Sequence, residues 1–171
     1  KLLQRRGSTR HFLFSKADTK GLNAKEIQPR ESTWKELKQI FPDVLAGKRL
    51  LDQSNNRLGT CDNFCAMAIE FDKTPATESG IDHYKAVTGV LDTICKEQSG
   101  WWGILERGLL AGFFPQKNDA QCLDLARNFQ QLLKKQVKAS VTIGIAAYPT
   151  LGYEKEQIIE NARKALVHAA F

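Results

Sequence analysis

The sequence of 171 residues lacks the segments that carry proteins into membranes or out of the cell. No apolar run approaches the roughly 20 residues of a membrane-spanning helix. The longest apolar runs, Phe64–Ile69 and Val141–Ala147, have the length of strands. Leu2-Leu3 is too short for the apolar core of a secretory signal. What remains is typical of a soluble globular protein with one domain and an extension, or two small domains.

The sequence also lacks a C-x-x-C motif, and its three histidines are scattered. A zinc site around the closest cysteine pair, Cys61 and Cys65, would need two more ligands at metal spacing. The pattern therefore favours buried free thiols in a reducing compartment, and we expect a cytoplasmic protein. The four cysteines are Cys61, Cys65, Cys95 and Cys122.

The net charge of +6 is unevenly distributed along the chain. Residues 1–60 contain 13 Lys and Arg against 6 Asp and Glu, whereas residues 61–171 contain 12 against 13. A basic arm of this kind serves nucleic acid or an anionic membrane surface, or it is a solvated linker that packs on a neighbouring domain. No base-reading motif accompanies it, so the linker is favoured. We predict a domain boundary between residues 60 and 61.

The N-terminal segment contains one amphipathic stretch. A helix is predicted from Trp34, with an apolar face that includes Leu37, Ile40 and Phe41. We expect this face to pack on the following domain, because so short a segment cannot bury a core of its own. Val44–Leu51 is predicted to form a second short helix, and residues 52–62 a polar turn region.

From residue 64 the pattern predicts strand, helix, hairpin, helix, strand, helix. This order predicts an α+β fold, a ferredoxin-like antiparallel central sheet with helices packed on it. The most apolar strand, Phe64–Phe71, is expected at its centre between Leu109–Phe114 and Val141–Ala147. The other predicted elements are a helix at Ile81–Glu97, a strand at Trp101–Leu105 with a turn at residues 106–108, a helix capped by Asn118 or Asp119, and a last helix from Ile158 to Ala169.

Two C-terminal segments carry a family resemblance. Val141-Thr142-Ile143-Gly144-Ile145-Ala146 resembles the "VTxSIG" strand of GGDEF domains, the palm-like catalytic domains of bacterial diguanylate cyclases. The segment from Ile158 to Ala169 resembles their closing "ADxALYxAK" helix, with Asn161-Ala162-Arg163-Lys164-Ala165-Leu166 in place of the usual residues and Val167 where Tyr is common. The resemblance covers residues 61–171 and implies the palm fold of the nucleotidyl cyclase superfamily.

The functional motifs of that family are altered. Its D-x-D pair corresponds to Glu70-Phe71-Asp72, where a carboxylate would hold magnesium. Its GG[D/E]EF turn corresponds to Glu106-Arg107-Gly108-Leu109-Leu110, counted back from Pro115. Side chains replace the paired glycines that let the backbone approach the nucleotide, and Gly108 and Leu109 replace two acidic residues.

The resemblance therefore implies a degenerate, catalytically inactive GGDEF-like signalling module. The candidates for nucleotide or metal binding are Glu70, Asp72, Glu106 and Arg107, with Mg²⁺ expected only if a nucleotide binds. The expected partners are a nucleotide, a protein, or other domains of a longer protein, because the chain begins with Lys1 rather than Met. Two alternatives stay open: an active cyclase with an unorthodox site, in which Glu106 replaces the lost carboxylate, and a nucleic-acid or membrane-surface binder acting through residues 1–60.

Overall fold

A computed structural model describes residues 31–71, 80–106, 109–137, 140–150 and 154–169. These residues form a five-stranded mixed sheet with helices on both faces. None of the helices in these ranges is long and apolar enough to cross a bilayer. In chain order the elements are α1 (Glu31–Ile40), β1 (Leu45–Ala46), α2 (Gly47–Leu58), β2 (Phe64–Phe71), α3 (Gly80–Glu97), β3 (Trp101–Glu106), β4 (Leu109–Pro115), α4 (Asp119–Gln136), β5 (Val141–Tyr148), a 3₁₀ turn (Lys155–Gln157) and α5 (Ile158–Ala169).

The strand order is β1-β3-β4-β2-β5, with β2 antiparallel to both β4 and β5. Strands β3 and β4 form the predicted antiparallel hairpin, and β1 pairs in parallel with β3. The first six residues of β2 are all buried, as expected for a strand covered on both faces. The predicted α+β sheet is therefore confirmed, and β2 lies between β4 and β5 as predicted. The middle strand of the five is β4, however, because the short parallel strand β1 adds one strand beyond β3 and leaves β5 at the other edge.

Side chains of β2 point alternately into two apolar layers. On one face Cys65, Met67 and Ile69 pack against helices α3 and α4 and against Leu37 of α1. On the other face the even-numbered residues of β2, such as Ala66, pack against helices α2 and α5. The molecule is therefore a three-layer arrangement, with the sheet between two groups of helices.

Helix α5 lies unusually close to the edge strand β5. A Cβ atom on Gly144 would overlap the carbonyl oxygen of Ala162 and the backbone nitrogen of Leu166. The missing side chain lets the backbones of helix and strand come into direct contact. This close approach fixes the position of α5 over the sheet, and with it the position of the polar side chains that α5 carries.

The sequence-based prediction for residues 44–62 is wrong in two respects. Leu45–Ala46 is a strand rather than part of a helix, and α2 runs through most of the segment predicted as a polar turn. The helix forms because Leu50, Ser54 and Leu58 recur every four residues and are all buried. The indole Nε1 of Trp101 donates a hydrogen bond of 2.8 Å to Ser54 Oγ, so this polar residue belongs to the buried face of the helix.

The predicted apolar face of α1 is confirmed in part. Leu37 is fully buried, and the ring of Phe41 packs edge-on against Trp102 with centroids 5.2 Å apart. Ile40, in contrast, is 50% exposed, because it lies at the end of the helix beyond the sheet-facing stripe. The side chain of Trp34 lies outside the described residues.

The described part of residues 31–60 thus shares the core of the sheet. The predicted domain boundary at residue 61 stays a prediction.

Helix α4 begins at the predicted cap. The side chain of Asn118 accepts a hydrogen bond of 2.8 Å from the backbone N–H of Gln121, and the Gln121 side chain accepts one of 2.9 Å from the backbone N–H of Asn118. This reciprocal capping box satisfies two N–H groups that the helix itself leaves unpaired. It holds the first turn of α4 against the end of the sheet, where Cys122 is buried.

Candidate functional site

The candidate carboxylates lie on one row across the hairpin end of the sheet. Glu70 of β2 stands opposite Leu109 of β4 and Thr142 of β5, and Leu109 also stands opposite Glu106 of β3. Directly opposed residues of antiparallel strands place their side chains on the same face. Four residues therefore form a row across the sheet, which we call the site row, on the face that α5 covers. In order they are Glu106, Leu109, Glu70 and Thr142.

Leu109 separates the two carboxylates. Its side chain is only 6% exposed and belongs to the apolar layer between the sheet and α5. Because strands in a sheet are about 4.8 Å apart, the backbones of Glu70 and Glu106 are about 10 Å from each other. Two carboxylates that share a pair of metal ions about 4 Å apart must converge, with no apolar side chain between them.

Glu106 is engaged by helix α5. Arg163 Nη2 donates a hydrogen bond of 2.8 Å to Glu106 Oε1, and Arg163 also lies 3.5 Å from a carboxylate oxygen of Glu160. The pair is partly solvated, since the side chains of Glu106 and Arg163 are 57% and 35% exposed. Its contribution to stability is therefore small, roughly 0 to 1 kcal/mol. Its importance is positional, because the guanidinium of Arg163 occupies one side of the Glu106 carboxylate.

Glu70 has a different environment from Glu106. It is half-buried, and its Oε1 atom is shielded from solvent. The next residue, Phe71, points to the other face, where its ring packs edge-on against Tyr84 with centroids 4.6 Å apart. Burial raises the pKa of the Tyr84 hydroxyl above its ordinary value. The end of β2 thus carries one carboxylate toward α5 and an aromatic contact toward α3.

The structure places two of the four predicted site residues on one face of the sheet, separated by Leu109. Glu70 and Glu106 share a face, whereas Asp72 and Arg107 lie outside the described residues. Glu106 was expected in the turn, and that expectation is wrong. It is the last residue of β3, because a register shift between Ile104 and Glu106 adds one residue to this strand.

Sequence reasoning missed Arg163 as a site residue. It stands 57 positions from Glu106, so nothing in their spacing connects them. Arg163 and Glu160 are three residues apart, a separation typical of an ordinary ion pair along one helix. The available signal was that both Glu106 and Arg163 fall on motif positions of the resembled family where other residues are usual.

The described residues do not fit a two-metal centre. Within the ranges that the structure describes, no three His, Cys, Asp or Glu side chains form a group able to hold a metal ion. Glu70 alone would supply one carboxylate, and hard cations such as Mg²⁺ use several oxygen ligands. The described hairpin end can therefore position charge and pack apolar surface, but it does not build a magnesium cage.

Eight solved structures with a similar fold are described as GGDEF domains or diguanylate cyclases. The GGDEF domain of FimX from Pseudomonas aeruginosa superposes with a TM-score of 0.63 and 14% identity, over 74% of this chain and 89% of that one. The coiled coil and GGDEF domain of DgcB from Caulobacter crescentus, in complex with c-di-GMP, gives 0.58 and 15%, over 80% and 85%. Diguanylate cyclase SiaD from Pseudomonas aeruginosa, in complex with its activator SiaC, gives 0.59 and 12%, over 81% and 63%.

No protein-family model and no curated protein matches the sequence. The likeness is therefore one of fold: the chain has the fold of GGDEF domains. It does not transfer chemistry, since one fold hosts unrelated functions and only the site residues decide between them.

Proposed function

We propose that this GGDEF-like domain does not synthesise cyclic di-GMP and acts as a regulatory module of a signalling protein. The observation that supports this proposal is the row across the hairpin end of the sheet. Buried Leu109 stands between Glu70 and Glu106, and Arg163 binds Glu106. The row thus offers an apolar contact and an ion pair where the chemistry needs converging carboxylates.

The chemistry explains why this arrangement is unsuitable for turnover. Joining two GTP molecules requires metal ions that bridge the phosphates and activate the attacking hydroxyl. An arginine bonded to one carboxylate competes with a metal ion for the same oxygen atoms. The motif position that should supply a further carboxylate is Gly108, which has no side chain.

The test is an assay of purified protein with GTP and either Mg²⁺ or Mn²⁺. We expect no pyrophosphate above background and no cyclic di-GMP. Formation of cyclic di-GMP that is lost in Glu70→Ala would overturn the proposal and establish an active cyclase. Asp124→Ala, which removes an exposed carboxylate on α4 away from the row, is the matched control.

A regulatory module must bind something, and the solved neighbours suggest two kinds of partner. DgcB was crystallised with c-di-GMP and SiaD with an activator protein. We infer that this domain binds a nucleotide without turning it over, or docks a protein. Calorimetric titration with GTP, ATP and c-di-GMP, with and without Mg²⁺, separates these possibilities. A purely protein-binding role predicts no heat with any of the three, and Mg²⁺ is required only if a nucleotide binds.

The free thiols bear on where the module works. None of the four cysteines forms a disulfide, and three of them are buried. Such thiols persist in a reducing compartment. We therefore propose that the domain works in the cytoplasm of a bacterial cell.

A further inference from the structure

Strand β5 is a long edge of the sheet without the features that usually protect an edge. It has eight residues, whereas the opposite edge, β1, has only two. Its sequence contains no charged residue and no proline, and its pairing with β2 runs without a bulge from Val141 to Tyr148. Within the described ranges no strand pairs with its outer side. Such an edge presents backbone N–H and C=O groups that can pair with a further strand.

One flank of helix α4 borders this edge. The side chain of Gln130 donates a hydrogen bond of 3.1 Å to the carbonyl oxygen of Val141, which identifies the flank of α4 that lies next to β5. Leu123, Arg127 and Lys134 follow the helical repeat from Gln130, so they share its flank. Leu123 is 40% exposed, and both basic side chains are exposed. The α4 side of the edge therefore offers apolar surface next to two cations.

Two side chains of β5 extend the apolar surface. Ile143 and Ile145 point to the face of α3 and α4, where both are half-buried. A strand added beside β5 would place every second side chain next to them and to Leu123, so these side chains must be apolar. Asp119, in the first turn of α4, is the one acidic residue on this flank among the described residues. The charge farther along the flank is positive and favours acidic residues in the added strand.

Helix α5 determines which kind of partner fits. A Cβ atom on Gly144 would overlap its backbone, so α5 lies over β5 itself. If a second copy paired antiparallel through its own β5, its α5 would lie over the adjacent strand on the same face. Neighbouring strands are about 4.8 Å apart, whereas packed helices need axes about 8 to 10 Å apart, so the two helices would overlap.

A single extended segment avoids this overlap, because it brings no helix of its own. On the α5 side it would meet Asn161 and Ala165, which lie on the flank opposite to Arg163 and are half-buried. These side chains leave room for small polar residues in the added strand.

We propose that the outer edge of β5 binds an extended, acidic segment of a partner protein by strand addition. Hydrogen bonds between the two main chains supply affinity, and the alternation of apolar and small polar side chains supplies specificity. Acidic residues of the segment lie next to Arg127 and Lys134. This inference rests on the proposed function and deepens it, because it names the class of partner that the regulatory module docks.

The experiment measures binding of a fluorescein-labelled synthetic peptide to the full chain by fluorescence anisotropy. In this acidic probe, serine alternates with valine at the centre and with glutamate at both ends. We expect saturable binding, and about tenfold weaker binding when lysine replaces glutamate, because like charges then meet on the flank of α4. A third peptide, the acidic probe N-methylated at the residues that face β5, should not bind, although its side chains and charges are unchanged.

Two substitutions and their matched controls test the location. Ile145→Lys places a charge on the edge, as natural edge strands do to avoid pairing, and should abolish binding. Ile40→Lys, at an exposed apolar position of α1, should not. The double variant Arg127→Glu with Lys134→Glu should bind the lysine peptide in preference to the acidic probe. Lys135→Glu, on the same helix but away from this flank, should keep the original preference.

Circular dichroism verifies that the variants fold, and the exposed charge variants keep the test decisive if Ile145→Lys does not. Absence of saturable binding to the acidic probe overturns the proposal, and so does binding that survives N-methylation or the double charge reversal. A dimer in sedimentation experiments that Ile145→Lys dissociates would make a second copy the occupant and would also overturn it. Formation of cyclic di-GMP would refute the proposed function without changing the peptide result, so the two failures are distinguishable.

Discussion

Helix α5 makes two contacts with the sheet that differ in kind. At Gly144 its backbone rests directly on β5, with no space for a side chain. Ala162 forms that contact. The next residue, Arg163, forms a partly solvated ion pair with Glu106 of the sheet. The first contact is between backbone atoms, which cannot move away by a change of side-chain rotamer. The second contact depends on two flexible side chains.

The difference explains how a fold and its site can change independently. Buried contacts such as that at Gly144 hold the helix on the sheet whatever the polar residues are. Contacts such as Glu106–Arg163 contribute little to stability, so substitutions there meet little resistance from folding. A GGDEF-like domain can therefore lose its metal-binding residues and keep its architecture, which is the situation we propose here.

The largest effect is expected at the first contact. Gly144→Val should lower the free energy of unfolding by about 3 kcal/mol or more, because the new side chain overlaps helix backbone that cannot move aside. Gly89→Ala in α3 is the matched control, since a Cβ there meets nothing within 4 Å. It should stabilise the protein by about 0.5 to 1 kcal/mol through its higher helix propensity. Urea denaturation measures both, and equal effects would contradict the packing argument.

The same contrast between buried and exposed contacts recurs in helix α1. Leu37→Ala should cost about 3 kcal/mol, because Leu37 is fully buried under the sheet. Ile40→Ala, three residues along and 50% exposed, should change stability by less than about 0.5 kcal/mol. Thermal denaturation with circular dichroism compares the two. If Leu37→Ala left the stability unchanged, α1 would contribute nothing to the stability of the domain. The N-terminal segment would then be a separate extension.

Sequence patterns predicted the parts of the fold that rest on local apolar periodicity. Strands β2, β4 and β5 are continuous apolar runs, and the cap at Asn118 follows from the chemistry of its side chain. Strand β1 could not be predicted from the sequence, because two residues are too few to show an alternating pattern and its partner β3 lies far along the chain. The second half of helix α2 was missed because its buried stripe includes Ser54, whose hydroxyl accepts a hydrogen bond from the distant Trp101.

The site was less predictable than the fold, for a physical reason. That Glu70 and Glu106 share a face follows from sheet register and from the irregularity between Ile104 and Glu106. A shift of one residue in β3 would have turned Glu106 to the opposite face. Neither the strand register nor the contact between Arg163 and Glu106, which are 57 residues apart, can be predicted from the spacing of residues in the sequence. The motif positions indicated which residues to examine, and only their arrangement in three dimensions showed what lies between them.

The smallest effect is expected at the second contact of α5. A double-mutant cycle with Glu106→Gln and Arg163→Met should give a coupling free energy below about 1 kcal/mol that decreases further in high salt, because the pair is solvated. The pair Lys48–Asp52 on α2, at 2.7 Å and with both side chains more exposed, is the control and should couple by about 0.3 to 0.5 kcal/mol.

The cycle also sharpens the proposed inactivity. In Arg163→Met the guanidinium is gone, but Leu109 still separates Glu70 from Glu106. We therefore expect Mg²⁺ to leave the melting temperature of this variant unchanged, because a single carboxylate gains little from a hard cation. If Mg²⁺ instead stabilises Arg163→Met and not the natural chain, Arg163 alone blocks a metal site. Leu109 would then not be the barrier, and the comparison between the two contacts of α5 would have to be redrawn.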